Sequence, residues 1–296
     1  MNEHDRLVDR AAREAHIVVF VGGLDAGKSS LARAGAAHGV GLGRSVAYLD
    51  ADLGQKTVGP PSTVGLKLIR TADDLTMERL ADADAISFVG STSPQGHLLP
   101  LVAGLARLRD VAVEAQADLV VVDTGGMVSG VHGQLVKFHK IEVLRPDLVV
   151  GVHRGEELAP VLGVIERFFS VEVVSLPIHP SVVPTTVEQR AERREGAYRR
   201  YFSGDLQRFR IRPTVFMPAL PPLFDLAQLD RLLVGLSDGH GGYTGVGYLE
   251  YLTDEGALRL ISPVADPPKA LRLGSVRLEG GDHAKRVDLR NLFGTE

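Results

Sequence analysis

The sequence predicts an α/β fold, a mostly parallel sheet flanked by helices with a small β-rich C-terminal domain behind it. Three observations predict it. Apolar, β-rich runs recur at 17–21, 45–49, 85–89, 118–122, 147–152 and 171–175, and helical patterns separate them at 28–38, 97–116, 130–141 and 156–169. The runs are apolar at nearly every position, so both faces need cover, as crossover helices provide in parallel sheets. From about residue 205 the texture changes. Pro213, Pro218, Pro221 and Pro222 punctuate the chain, Phe224–Gly235 reads as one helix, and short β-like runs follow at 245–252, 257–262 and 271–278. The expected division is therefore 1–204 and 205–296, with Asp254-Glu255-Gly256 as a hairpin turn in the second part.

The elements can be justified in order. Residues 5–15 form a short amphipathic pattern. The run Ile17–Val21 then enters Gly22-Gly23-Leu24-Asp25-Ala26-Gly27-Lys28-Ser29-Ser30, a G-x-x-x-x-G-K-[ST] pattern between a strand and a helix start. In that setting, backbone amides and a helix N-terminus cradle phosphate: a P-loop. Lys28 reaches the β/γ-phosphates and the Ser29 hydroxyl ligates Mg²⁺. The competing reading is an ordinary glycine-rich βα turn. In open α/β sheets ligands bind at strand C-termini, so chemistry is expected just after Val21, Leu49, Val89 and Val122.

Each of the other strand ends carries suitable residues. After Leu49 stands Asp50-Ala51-Asp52-Leu53-Gly54-Gln55, whose two carboxylates at i and i+2 face one way. One suits Mg²⁺ and the other an incoming hydroxyl; a turn or helix cap is the alternative. After Val122 stands Asp123-Thr124-Gly125-Gly126, an acid for the Mg²⁺ water shell or a capping Asp in a tight turn. After Val89 stands Gly90-Ser91-Thr92-Ser93-Pro94-Gln95-Gly96-His97, a substrate-contacting loop or simply a loop. A helix expected at about 184–202 carries Arg190 and Arg194 at i and i+4, a lid over phosphates or a solvated face paired with Glu.

Composition bounds the function. The 296 residues carry a net charge of −4 and no Cys, which removes disulfides and thiolate metal sites. The N-terminus lacks a signal-peptide pattern and no run approaches the roughly 20 apolar residues of a membrane span, so a cytoplasmic protein is predicted. Acidic balance argues against nucleic-acid binding over the whole surface. Yet Arg190, Arg193, Arg194, Arg199, Arg200, Arg208, Arg210 and Arg212 crowd one stretch. Asn occurs only at Asn2 and Asn291, which excludes a guanine-reading N-K-x-D loop.

In this order the motifs resemble the polynucleotide 5′-hydroxyl kinase family, relatives of the pre-mRNA cleavage-factor RNA kinase and of an rRNA-processing kinase. The resemblance runs over roughly residues 16–205: the P-loop, Asp50–Gln55 with Gly59-Pro60-Pro61, a clasp at Gly90–Pro94, Asp123–Met127, and the basic helix ending in Tyr201-Phe202-Ser203-Gly204. It implies ATP and Mg²⁺ as cofactors and a nucleic-acid 5′-hydroxyl end, RNA or DNA, as partner. It also implies nucleotide contacts from Gly22–Ser30, Asp123 and Gly126, and metal contacts from Ser29, Asp50 and Asp52. Catalytic roles fall to Lys28, Asp52 as base, Gln55, Arg190 and Arg194. Acceptor contacts fall to Thr92, Ser93, Gln95, Gly96, Thr124 and Met127, where Met127 replaces the family's Trp and Ser91 its His. Three other readings remain: a non-catalytic ATP-binding scaffold, a P-loop ATPase of the metal-insertion or partitioning class, and a kinase for a small molecule.

Overall fold

The computed structural model describes residues 2–280 and 283–294. Its first helix, α1 (Glu3–Glu14), starts at a capping box in which the side chains of Asn2 and Asp5 accept each other's amides. There follow β1 (Ile17–Gly22), α2 (Lys28–Gly41), β2 (Val46–Ala51), β3 (Thr63–Ile69), α3 (Met77–Leu80), β4 (Ala85–Phe88), α4 (Leu98–Glu114) and β5 (Leu119–Thr124). Next come α5 (Gly130–Leu144), β6 (Leu148–His153), α6 (Ala159–Phe168), β7 (Glu172–Pro177) and α7 (Val187–Tyr201). The C-terminal part holds β8 (Gln207–Ile211), β9 (Phe216–Met217), β10 (Leu232–Ser237), β11 (Tyr243–Leu252), β12 (Ala257–Ser262), β13 (Ala270–Glu279), β14 (His283–Arg286) and α8 (Leu289–Phe293).

Strands β2-β5-β1-β6-β7 form the parallel block that the apolar runs require. Alternate side chains feed two cores. Ile17, Val19 and Val21 pack beneath α4, α5 and α6, whereas Val18 and Phe20 pack beneath α1 and α2. This two-sided burial is why the strand sequences do not alternate with polar residues.

Two departures from the sequence reading shape the rest. Strand β3, an antiparallel partner of both β2 and β4, occupies a stretch for which the sequence suggests no element. The helix expected at Phe224–Gly235 is instead a 3₁₀ turn, Leu226–Leu229, followed by strand β10. Arg231, at φ 60°, breaks the run. Beyond it Leu232, Val234 and Leu236 enter one core and Leu233 another, a period-2 division that no single helix face provides. The hairpin at Asp254–Gly256 joins β11 to β12 as expected. The C-terminal strands are not separate from the sheet. β11 pairs with β4 at Tyr243 and Ile86, so one sheet runs from β14 to β7. Among the described residues no helix is long and apolar enough to cross a membrane.

Candidate active site

The loop Gly22–Gly27 leaves β1 and enters α2 through Gly27 at φ 85°, a left-handed conformation that favours glycine. No side chain caps that helix start, so its first amides face the loop's interior. Lys28 is 6 % exposed and its Nζ donates to the Gly23 carbonyl at 2.6 Å, folded back over the loop. Burial lowers its pKa, partly offset by Asp123, Asp52 and Asp25. Leu24 meets the close-packed backbone of Gly126, which draws the β5 turn against the P-loop.

The two aspartates after β2 part company. Asp50 is fully buried; its Oδ2 accepts from the amides of Thr57 (2.7 Å) and Val58 (2.9 Å) and meets Lys56 Nζ at 3.1 Å, and its Oδ1 accepts from the Asp52 amide. The expectation that Asp50 and Asp52 face one way is therefore not met. Strand β2 ends at Ala51, and Asp50 anchors the turn that follows, its oxygens engaged by amides and its charge matched by Lys56. Asp52 Oδ1 accepts from the amides of Gly54 (2.7 Å) and Gln55 (3.2 Å). Both of those bonds fall on one oxygen, and Asp52 lines a cavity of about 230 Å³.

That cavity gathers most of the expected acceptor and lid residues. Leu24, Asp52, Gln55, Thr92, Ser93, Gly126, Met127, Arg190 and Arg194 line it. Gln95 and Gly96 do not; their loop turns outward, where Arg286 donates to the Gln95 carbonyl. Thr124 does not either. It is 1 % exposed, its hydroxyl donates to the Phe20 carbonyl at 2.7 Å, and Lys137 donates to it at 2.8 Å. Gln55 Nε2 donates to the Arg190 carbonyl at 3.2 Å, joining the β2 turn to α7. The Arg190 guanidinium reaches Asp25 of the P-loop at 3.1 Å, and Asp25 also accepts from the amide and hydroxyl of Thr185. Helix α7 is thus tied to both loops.

Two further lysines that the motifs leave unassigned complete the electrostatics. Lys137 and Lys140, on the inner face of α5, line the same cavity and are 1 % and 3 % exposed. Lys137 Nζ holds Thr124 and the Gly125 carbonyl (2.5 Å); Lys140 Nζ holds the Ala51 carbonyl at 2.7 Å. They pin the ends of β5 and β2 to one helix. Burial pushes Lys140 down to about 8 against the pull of Asp52 and Asp50, and pushes Lys137 well below its ordinary value. The signal available in the sequence was their spacing: both fall on the helix face that buries Gly133, Val136, Ile141 and Leu144.

Asp123 is the strained member of the cluster. Burial and then the neighbouring Asp50 raise its pKa to about 6, against the Ser29 hydroxyl and the Lys28 ammonium. Its Oδ1 is buried without a hydrogen-bond partner. A lone buried carboxylate oxygen beside Ser29 suits a hydrated divalent cation, which supplies the missing partner and the compensating charge. Among the described residues no set of three or more His, Asp or Glu forms an all-protein metal site, and a cation shared with phosphates needs none.

Known proteins resemble this chain in sequence and in fold. The model of the mRNA cleavage and polyadenylation factor CLP1 P-loop matches residues 22–204. A polyribonucleotide 5′-hydroxyl-kinase of Thermococcus kodakarensis is 27 % identical, with 88 % of each chain aligned. One from Methanocaldococcus jannaschii is 33 % identical over 62 % of this chain and 50 % of its own length. In fold, the chain is similar to wild-type Clp1p in complex with Pcf11p, with a TM-score of 0.67 at 15 % identity, covering 93 % of this chain and 77 % of that one. The matched segment takes in the P-loop, the Asp50–Gln55 turn, the clasp, the β5 end and all of α7, so the chain belongs to the CLP1 P-loop family.

Proposed function

We propose that the chain is an ATP-dependent polynucleotide 5′-hydroxyl kinase. The observation that carries this reading is that Leu24 of the P-loop, Asp52 and the α7 arginines border one cavity from different sides. Phosphoryl transfer asks a protein for positioning and charge neutralisation more than for covalent chemistry. Kinases for RNA 5′-hydroxyl ends among the relatives point to the acceptor class.

In this reading the amides of Gly23–Gly27 and the Lys28 ammonium receive the triphosphate. Lys28 exchanges the Gly23 carbonyl for phosphate oxygens, which offset the desolvation of its buried ammonium. Ser29 and Asp123 would hold Mg²⁺, which when bound neutralises phosphate charge. Asp50 holds the turn instead of the metal. Asp52 is fixed through Oδ1 by two amides, so Oδ2 is left to accept the proton of the 5′-hydroxyl. Arg190 and Arg194 neutralise charge on the transferred group, and Gln55 keeps α7 in register with the Asp52 turn. Thr92, Ser93 and Met127 line the side of the cavity that would hold the terminal nucleoside. Met127 offers an apolar contact and no stacking ring. Residues 205–296 would support this site from behind.

The test is transfer of label from ATP to 5′-hydroxyl RNA and DNA oligonucleotides. The wild-type protein should label at least one of them. Asp52→Asn should keep ATP affinity within a few-fold and lose at least about 10²-fold in turnover. Undiminished turnover would place the base elsewhere, and nucleotide that stays intact with every acceptor would favour an ATP-binding scaffold.

A further inference from the structure

Strand β8 lies far along the chain from the strand ends and presents a pattern the site does not use. Arg208 and Arg210 of β8, and Arg212 one residue past its end in extended backbone, are exposed, while Phe209 and Ile211 between them pack into the C-terminal core. Same-side residues on a strand recur at roughly 7 Å, twice the rise per residue. The pairing register shows which side this is. Arg208 lies opposite Ile261, which lies opposite Tyr248; Arg210 lies opposite Arg259, which lies opposite Glu250. Directly opposed residues share a face. Phe202, at the end of α7, packs edge-on against the Tyr248 ring with centroids 5.3 Å apart, so α7 ends on the arginine-bearing face. At its other end α7 delivers Arg190 and Arg194 to the cavity.

Charge on this face runs against the whole. The chain is acidic by −4. Glu250 is engaged by Arg259 at 2.7 Å and Glu255 by Arg210 at 3.0 Å, and among the described residues Arg208 and Arg212 have no ion-pair partner. Arg210 remains 73 % exposed despite its pair. Arginine is suited to phosphate because its planar fork binds two oxygens at once. A charged edge strand also deters strand addition, which by itself would need no particular partner.

Resting on the kinase reading above, we infer that the Arg208–Arg210–Arg212 row is a binding track for the phosphodiester backbone of a single-stranded nucleic acid whose 5′ end occupies the cavity. The track reads phosphate and not base, since it offers arginines and no aromatic platform among its exposed residues. It acts on acceptor affinity and leaves the chemical step alone.

The experiment compares wild type with the combined variant Arg208→Ser, Arg210→Ser, Arg212→Ser, all exposed positions, with melting temperature as a check on folding. Acceptors are a 5′-hydroxyl dinucleotide and a 5′-hydroxyl 20-mer of single-stranded RNA. The variant should raise KM for the 20-mer at least tenfold with kcat unchanged, and leave both constants for the dinucleotide alone. Anisotropy of a labelled 20-mer measures binding apart from turnover. There the slope of log affinity against log salt should become shallower by about two, at roughly 0.7 for each phosphate no longer neutralised. Unchanged 20-mer affinity and salt slope would overturn the track, as would equal losses for both acceptors. A wild type that binds the 20-mer through these arginines but labels no acceptor would overturn the kinase reading and keep the track.

Discussion

At the scale of single residues, Asp123 carries the clearest trade between stability and function. Its pKa, raised from 3.8 to about 6, means that the folded protein holds a proton there more tightly than the unfolded chain does. The stabilisation this gives is complete below about pH 4 and is lost as pH rises through 6; at neutral pH the buried charge is a cost. A shift of about two units corresponds to at most roughly 3 kcal/mol. Asp123→Asn should therefore stabilise the nucleotide-free protein at pH 7 by about 1–3 kcal/mol, with little effect at pH 4, while lowering Mg²⁺-dependent turnover. Urea melts at the two pH values measure it, and an equal gain at both would refute the assignment of the cost to ionisation. Asp123 was legible in the sequence because an acid closing an apolar strand after a P-loop has few other uses. Lys137 and Lys140 were not, since a helix lysine ordinarily extends into water. Only their alignment with buried neighbours marks them, and their cargo, the carbonyls of Ala51 and Gly125, comes from strands distant in sequence.

At the scale of elements, α7 is held by its N-terminal turn. Asp25 sits in the P-loop at φ 50° and accepts from Thr185 and Arg190, so the loop proposed to receive phosphate also holds the helix that would close over it. Desolvation of Asp25 is outweighed by these bonds and by Arg190 and Arg154, which keep its carboxyl below the usual range. Asp25→Ala should free the start of α7. Loss of a charge-assisted bond of about 1–3 kcal/mol predicts amide exchange at 187–191 faster by about 5- to 150-fold without nucleotide. The C-terminal half of α7, fixed by the buried Tyr198 hydroxyl on Ser62 and by Tyr201 on β11, should exchange as before. Uniform acceleration along the helix would show that Asp25 does not act as a local tie. The sequence announced this helix through its arginines and its terminal Tyr201-Phe202. It concealed β3 and β10. Thr63–Ile69 follows two prolines and includes Gly65 and Lys67, and Leu232–Ser237 is apolar on both faces, so neither shows the alternation of a half-exposed strand.

Across the whole molecule, the C-terminal strands touch the candidate site through the Gly90–His97 loop. Ser275 of β13 donates its amide to the Gly90 carbonyl at 2.7 Å and bonds His97 through its hydroxyl at 2.8 Å, bracketing the loop that holds Thr92 and Ser93. The joint that carries this connection is the Phe88 ring, fully buried where β4 meets the C-terminal sheet. Gly235 and Gly274 lie flat against it. A methyl group on Gly235 would overlap the ring itself, and one on Gly274 would come within 2.9 Å of both the ring and the Leu233 carbonyl. Backbone on both sides prevents a simple retreat, so Gly235→Ala should cost about 1–3 kcal/mol by overpacking. The functional consequence should be selective. Displacing β4 moves the clasp, whereas the P-loop lies across β3, β2 and β5 from the joint. KM for a 5′-hydroxyl acceptor should rise several-fold while KM for ATP stays within twofold. Measuring both constants beside the melting temperature decides it. A lower melting temperature with both constants unchanged would make the C-terminal strands a stabilising annex. Selective loss of acceptor affinity would make them part of the substrate side of the site.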